Sequence, residues 1–216
     1  MVFIDEKIEA YARQFSSPEP RVLQQLNRDT HASVLRARML SGHLQGRFLA
    51  FISRLIKPKR ILEIGTYTAY SAICLAEGLG VDGVLHTIDH NAELEEFAAK
   101  YIREAGYEHQ IVQHTGEALD VLPGMEGPFQ LVFIDADKAN YVRYFEMIYP
   151  MMSPGGVVIA DNALWSGKVL EPETRHDEET AGVSAFNQYI RQHKGVNHLL
   201  LPFRDGLMLV EKKPEG

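Results

Sequence analysis

Two short stretches of the chain carry residue types from which chemistry can be built. Asp135 and Lys138 stand three positions apart, and Asp161-Asn162 directly follow the apolar run Val157–Ala160. Asp135, Asp161 and Asn162 are hard oxygen donors, with no His pair at metal-ligand spacing beside them. Such a set suits Mg²⁺, Mn²⁺ or Ca²⁺ rather than zinc. Three protein oxygens leave about half of an octahedral shell for water or substrate. Lys138 falls where the next helix would start, so its amine can return toward the ion. Alone it reads as a surface lysine. Beside a divalent cation its charged form is disfavoured and its pKa falls, which is what a general base needs.

A second set lies upstream: Glu63, Gly65, Asp89 and Glu117. A glycine after a first strand lets backbone approach a ligand closely, and an acid closing the second strand can accept two ribose hydroxyls. Gly65-Thr-Tyr-Thr-Ala-Tyr is not G-x-G-x-x-G, and no G-x-x-x-x-G-K-[ST] occurs. Tyr67 would also crowd a pyrophosphate. A nucleoside with little or no phosphate fits better than NAD or ATP, which argues against a dehydrogenase. Neither G-x-S-x-G nor S-x-x-K is present, so nothing suggests a covalent nucleophile.

These residues need elements to position them. Apolar runs begin at Arg60, Val84, Gln110, Gln130 and Gly156, each followed by a loop and a helix-like segment. The spacing of their starts is that of βα units, too long for hairpins. Leu131–Ile134 and Val157–Ala160 are apolar without alternation, as in central parallel strands covered on both faces. Asn197–Leu201 and Leu207–Val210, broken by Asp205-Gly206, look like a closing antiparallel pair. The stripe Leu94, Phe97, Ala98, Tyr101 and Ile102 predicts a helix closed by Gly106. Tyr141, Tyr144, Phe145 and Ile148 predict another, closed by Pro154-Gly-Gly. Residues 1–56 read as helical, with one apolar stripe of Val34, Leu35, Met39, Leu44, Phe48, Leu49, Ile52, Leu55 and Ile56. Pro58 helps to end it.

In this frame Glu63, Asp89, Glu117, Asp135 and Asp161 come to one rim, the carboxyl ends of consecutive strands, where ligands bind in open parallel sheets. A single acid after a strand is usually a helix cap or turn former; five in register are harder to explain by capping alone.

The chain has 216 residues, 45% hydrophobic and 24% charged, enough for one core and short for two. No apolar run approaches the roughly 18 residues of a membrane helix, and Met1-Val-Phe-Ile-Asp-Glu-Lys lacks the order of a secretion signal. One cysteine, Cys74, excludes an internal disulfide framework and points to a core residue in a reducing, cytoplasmic setting. The net charge of −7 argues against a chain that coats nucleic acid. Between Arg21 and Arg60 the balance is +8, leaving −15 elsewhere. That segment is either a solvated helix face or a collar for an anionic partner.

The motifs resemble the cation-dependent class I O-methyltransferases, the group of catechol and caffeoyl-CoA O-methyltransferases. The carriers span about Ala37 to Lys212: Gly42-His-Leu-Gln-Gly-Arg-Phe-Leu, Ile61-Leu-Glu-Ile-Gly-Thr-Tyr-Thr-Ala-Tyr-Ser, Leu131-Val-Phe-Ile-Asp-Ala-Asp-Lys, Ile159-Ala-Asp-Asn-Ala-Leu-Trp-Ser-Gly and Leu201-Pro-Phe-Arg-Asp-Gly-Leu. The resemblance implies a Rossmann-like α/β fold, a mostly parallel seven-stranded sheet with a closing antiparallel strand, and helices on both faces. It implies one domain over 1–216, with a helical segment 1–56 and a cofactor-binding core 60–212.

S-adenosylmethionine would be the cofactor, with Glu63, Gly65, Tyr67 and Ser71 along its methionine part. Asp89 would take the ribose, and Gly116, Glu117 and Ala118 would surround the adenine. Asp135 would face both cofactor and metal, Asp161 and Asn162 would complete the metal set, and Lys138 would be the base. Ala69 stands where the family usually has glycine. The implied acceptor is a vicinal-diol phenolic small molecule, chelated by the cation as Lewis acid and template. A hydroxylated tRNA uridine or a CoA-thioester phenolic is the alternative, and a sensor without catalysis is the rival from another class. Trp165 is either packing or a wall for the acceptor ring, residues 170–180 a mobile loop over the site in which Arg175 and His176 are solvent-exposed or touch substrate, and the assembly a homodimer.

Overall fold

A computed structural model describes residues 5–214, which fall into two compact units, 5–117 and 118–214. The stretch Met1–Ile4, on which the signal-peptide reading begins, lies outside the described residues.

In the first unit, helices α1 (Glu6–Gln14), α2 (Arg21–Ser33) and α3 (Gly42–Ile56) precede the parallel strands β1 (Arg60–Ile64), β2 (Val84–Asp89) and β3 (Ile111–Thr115). β2 lies between the other two, and α4 (Tyr70–Ala76) and α5 (Glu95–Glu104) are the crossovers. Gly106, at φ 81, follows α5 as the sequence predicts.

The single N-terminal stripe does not survive. α2 stops at Ser33, Arg36 is left-handed at φ 59, and α3 begins only at Gly42, so Leu35 (89% exposed) and Met39 lie outside both helices. The face that α3 buries is Gln45, Gly46, Leu49, Ala50 and Ser53; of the predicted line only Leu49 belongs to it, while Leu44, Phe48, Ile52 and Ile56 are half-buried. Small residues win because α4 comes close. A methyl on Gly46 would lie 2.6 Å from Tyr70 Cε1, and one on Gly78 2.2 Å from Ser53 Oγ. The bulkier Phe51 and Leu55 stay exposed.

The second unit runs α6 (Ala118–Val121), β4 (Phe129–Ile134), α7 (Tyr141–Ile148), β5 (Met152–Ala160), α8 (Glu178–Gln192), β6 (Val196–Leu201) and β7 (Leu207–Lys212). β4 and β5 are parallel, while β7 inserts antiparallel between β5 and β6. The closing antiparallel pair is therefore present. Pro154-Gly-Gly does not close α7, which ends at Ile148; it lies inside β5, where the β4 register slips between Phe129↔Met152 and Leu131↔Val157. Among the described residues no helix is long and apolar enough to cross a membrane.

Candidate active site

The upstream set is organised around one carboxylate. β1 ends at Ile64, and Gly65, at φ 104, donates its N–H to the Ile88 carbonyl at 2.9 Å. The turn then brings the Tyr67 N–H to Asp89 Oδ2 at 2.7 Å, and Asn91 N–H donates to Oδ1 at 2.9 Å. Gly116, at φ 152, donates to the Asp89 carbonyl at 2.9 Å. A carboxylate has about four lone-pair sites. Two are taken by backbone, so Asp89 is oriented and still able to accept a vicinal diol.

Glu63 is not at a strand tip. It lies inside β1, fully buried, and accepts from the Thr87 hydroxyl at 2.5 Å, while the Thr66 and Thr87 hydroxyls sit 2.6 Å apart. Tyr67 is half-buried and its hydroxyl donates to the Leu35 carbonyl at 3.0 Å, tying the connector between α2 and α3 to this turn. Ser71 is buried in the first turn of α4. Ala69 caps that helix at φ 67, ψ 17, so an L side chain occupies the position where glycine is favoured. Glu117 is exposed, and Ala118 is buried at the start of α6. Burial pushes the Cys74 thiol up to about 12, which leaves it unreactive.

In the second unit the register carries the downstream set. Ile134 pairs with Ala160 in the parallel ladder, and Asp161 N–H donates to the Ile134 carbonyl at 2.9 Å. One residue on, Asp135 and Asp161 leave neighbouring strand tips, about 4.8 Å apart in a ladder. Asp161 is 5% exposed, and its Oδ1 accepts from Asn162 N–H at 2.6 Å. Asn162 is left-handed at φ 59, and its Nδ2 donates to Asp205 Oδ2 at 3.2 Å. An ionised carboxylate only accepts, so this bond fixes which end of the amide is which and turns the amide oxygen away from Asp205. Among the described residues no three His, Cys, Asp or Glu side chains cluster to hold a metal. A cation here would rest on two carboxylates and one amide oxygen, a hard donor set that fits Mg²⁺ or Mn²⁺.

Lys138 opens a 3-10 turn and is buried, 5% exposed. Its Nζ donates to Asp135 Oδ1 at 3.0 Å and to the Ala136 carbonyl at 2.8 Å. With the protein's own groups, the balance opposes the lowered pKa that a base requires. Burial disfavours the charge, but the Tyr141 hydroxyl and the Asp135 carboxylate outweigh it and hold the ammonium above the ordinary lysine range. Trp165 flanks it, with Nζ 5.8 Å from the indole centroid, and Lys168 lies 6.0 Å from the same ring. The 170–180 segment is tied down, Lys168 bridging to Asp177 at 2.9 Å and the His176 ring bonding the Glu171 carbonyl at 2.9 Å.

Two residues escaped the sequence reading. Tyr141 reads there as core, yet its buried hydroxyl lies 3.3 Å from the Ile134 carbonyl and 3.2 Å from that of Asp161, across the tips of β4 and β5. Its spacing of three from Lys138, itself three from Asp135, was the available signal. Asp205 reads as a strand break; only the folded chain shows it beside Asn162.

The sequence model of the O-methyltransferase family matches residues 13–213, across both units. Catechol O-methyltransferase of Niastella koreensis is 36% identical over 161 residues, 73% of this chain and 72% of that protein. Probable caffeoyl-CoA O-methyltransferase 2 of Dictyostelium discoideum is 30% identical over 207 residues, 94% of this chain and 90% of its own. Among solved structures, the O-methyltransferase TomG from Streptomyces achromogenes, in complex with SAM, superposes with a TM-score of 0.89 at 31% identity, covering 96% of each chain. The O-methyltransferase from Bacillus cereus, in complex with SAH, gives 0.89 at 30% identity over 96% of this chain and 97% of that one. Motif, fold and likeness over nearly the whole length converge, and the chain belongs to the O-methyltransferase family, with its Rossmann-like α/β fold.

Proposed function

We propose that this protein is an S-adenosylmethionine-dependent, divalent-cation-dependent O-methyltransferase whose acceptor is a small phenolic with two adjacent hydroxyls. The observation that carries the reading is the Ile134↔Ala160 register, which sets Asp135 beside Asp161 while Asn162 turns an amide oxygen away from Asp205. The name of one relative, a catechol O-methyltransferase, supports this acceptor, and that of another, a probable caffeoyl-CoA O-methyltransferase, supports the CoA-thioester phenolic as the alternative.

S-adenosylmethionine supplies the methyl group. A divalent cation, when bound, supplies Lewis acidity for a phenolate and a template for two vicinal oxygens. Asp135, Asp161 and Asn162 would hold it. Asp89 accepts the ribose hydroxyls, Gly65 and Gly116 give the nucleoside close backbone, and Glu63, Tyr67 and Ser71 line the methionine side, with Glu117 and Ala118 about the adenine. Lys138 would take the phenolic proton at Nζ once a bound cation offsets the Asp135 charge and disfavours the ammonium that the protein's own groups otherwise hold. Trp165 shields that amine from water on one side, and positioning supplies much of the remaining rate.

The cationic segment Arg21–Arg60 would favour a phosphate-bearing acceptor, but two of its arginines are engaged within the fold. Arg47 already binds Glu77 through two bonds, at 3.1 and 2.6 Å, and Arg54 binds it at 2.5 Å. The exposed Phe51 and Leu55 are the apolar surface on which a homodimer would close.

The test is labelled-methyl transfer from S-adenosylmethionine to a panel of catechols, CoA-ester phenolics and bulk tRNA, with Mg²⁺ or with EDTA. Turnover of catechols that stops under EDTA is expected. Activity surviving full chelation would remove the cation from the account, and transfer to tRNA alone would replace the acceptor.

A further inference from the structure

The turn between β6 and β7 does more than connect them. Asp205 reaches the 162–167 loop through both carboxylate oxygens, Oδ2 accepting from Asn162 Nδ2 at 3.2 Å and Oδ1 from the Ser166 N–H at 2.5 Å. The backbone follows the same path, with Leu164 N–H donating to the Asp205 carbonyl and Ala163 N–H to that of Gly206, each at 2.9 Å. Gly206, at φ 87, allows this approach, since a methyl there would lie 2.5 Å from Leu164 Cγ and 2.8 Å from its nitrogen. The loop so gripped is strained. Asn162, Trp165, Ser166 and Gly167 have φ of 59, 45, 54 and 83. Left-handed backbone costs roughly 1–2 kcal/mol per L residue and persists only where surrounding contacts over-determine it. Here four bonds from two adjacent residues supply those contacts.

We infer that Asp205 is a positioning residue for cation binding: by taking the Asn162 amide N–H it commits the amide oxygen to the cation, and by taking Ser166 N–H it holds the loop in the conformation that presents that oxygen. The inference rests on the cation reading above. Nothing about Asp205 requires that it touch the ion. Partners that orient metal ligands are typically worth 10–100-fold in affinity.

The experiment is a Mn²⁺ titration of the full chain without acceptor, followed by calorimetry and by the free-Mn²⁺ electron-spin signal. Asp205→Ala should weaken Mn²⁺ binding about 10–100-fold, and hydrogen exchange at the Leu164 and Ser166 amides should speed up with it. A swap separates orientation from simple charge. Asp205→Asn keeps a carbonyl for Ser166 N–H but meets the Asn162 amine with its own, whereas adding Asn162→Asp restores a donor–acceptor pair. The effect of Asn162→Asp on Mn²⁺ affinity should therefore be at least about 10-fold more favourable in the Asp205→Asn background than in wild type, a coupling read as a double-mutant cycle. Equal effects in the two backgrounds, or wild-type affinity in Asp205→Ala, would overturn the role of Asp205 while leaving the cation reading intact. Wild-type protein that takes up no Mn²⁺ would overturn the cation reading itself. The swap still decides the matter if Asp205→Ala does not fold.

Discussion

The turn after β1 and the loop after β5 solve the same problem with different materials. Around Asp89 the scaffold is backbone: amides of Tyr67, Asn91 and Gly116 converge on one residue, and glycines stand where φ is 104 and 152. Around Asp135 and Asp161 it is side chains, Lys138 on one carboxylate, Tyr141 across two carbonyls and Asp205 on the amide of Asn162. A backbone-built scaffold tolerates change to any one of the side chains around its central carboxylate. A side-chain-built site loses its geometry one residue at a time, so substitutions should fall harder on the second.

The largest effects are therefore expected downstream. Asp161→Ala removes an anionic donor from the floor of the site, and Mn²⁺ affinity should fall roughly 100-fold or more, since ligand charge sets affinity. An unchanged calorimetric titration would take Asp161 out of the donor set. Lys138→Met should lower kcat about 10²–10⁴-fold, the range of a lost acid–base group, without loss of Mn²⁺ binding. A parallel loss of both would make Lys138 structural.

Packing comes next. Gly182 on α8 lies so close to the Lys138 turn that a Cβ would meet the Lys138 carbonyl oxygen at 2.4 Å and Ala139 Cα at 2.7 Å. Gly182→Val should destabilise the fold by about 1–3 kcal/mol through overpacking and lower kcat with it. A neutral urea midpoint would show that the turn yields freely. The corresponding change upstream runs the other way. Ala69→Gly relieves φ 67 and should stabilise by roughly 0.5–1 kcal/mol after glycine's own entropy, with cofactor affinity equal or better. A lower Tm would mean that the buried methyl matters more than the backbone.

The smallest effect is a pH dependence in the first unit. His86 Nδ1 and His114 Nε2 lie 3.0 Å apart on adjacent strands. Burial pushes both rings below the ordinary histidine range, and for His86 the neighbouring His114 and Arg60 add to it. The unfolded chain then binds more protons than the native one, so stability should decline as pH falls through about 6.5. Urea midpoints at pH 7.5 and 5.5 should differ more in wild type than in His86→Gln/His114→Gln. Identical slopes would assign the decline to other groups.

What could be read from sequence follows the same division. Each apolar run lies in a strand, because period and turn residues are local signals, though β5 begins at Met152, four residues before its run. The Asp89 turn was legible for the same reason: Gly65, Tyr67 and Asp89 announce it within 25 residues. The face of α3 was misread, since Gly46, Ala50 and Ser53 are buried through proximity to α4, which hydrophobicity does not encode. Asp205 was invisible in its role because its partner lies 43 residues away. Lys138 opens the turn after β4, as the sequence suggests, but the sign of its pKa shift depends on Asp135 and Tyr141 as neighbours.

Crystals grown with Mn²⁺ and an S-adenosylmethionine analogue, measured at the manganese absorption edge, test the central claim most directly. One anomalous peak bound by Asp135, Asp161 and the amide oxygen of Asn162, at the roughly 2.0–2.2 Å of hard-cation bonds, is the outcome expected. Manganese bound elsewhere, or a protein that turns over catechols with those three side chains bare, would contradict it.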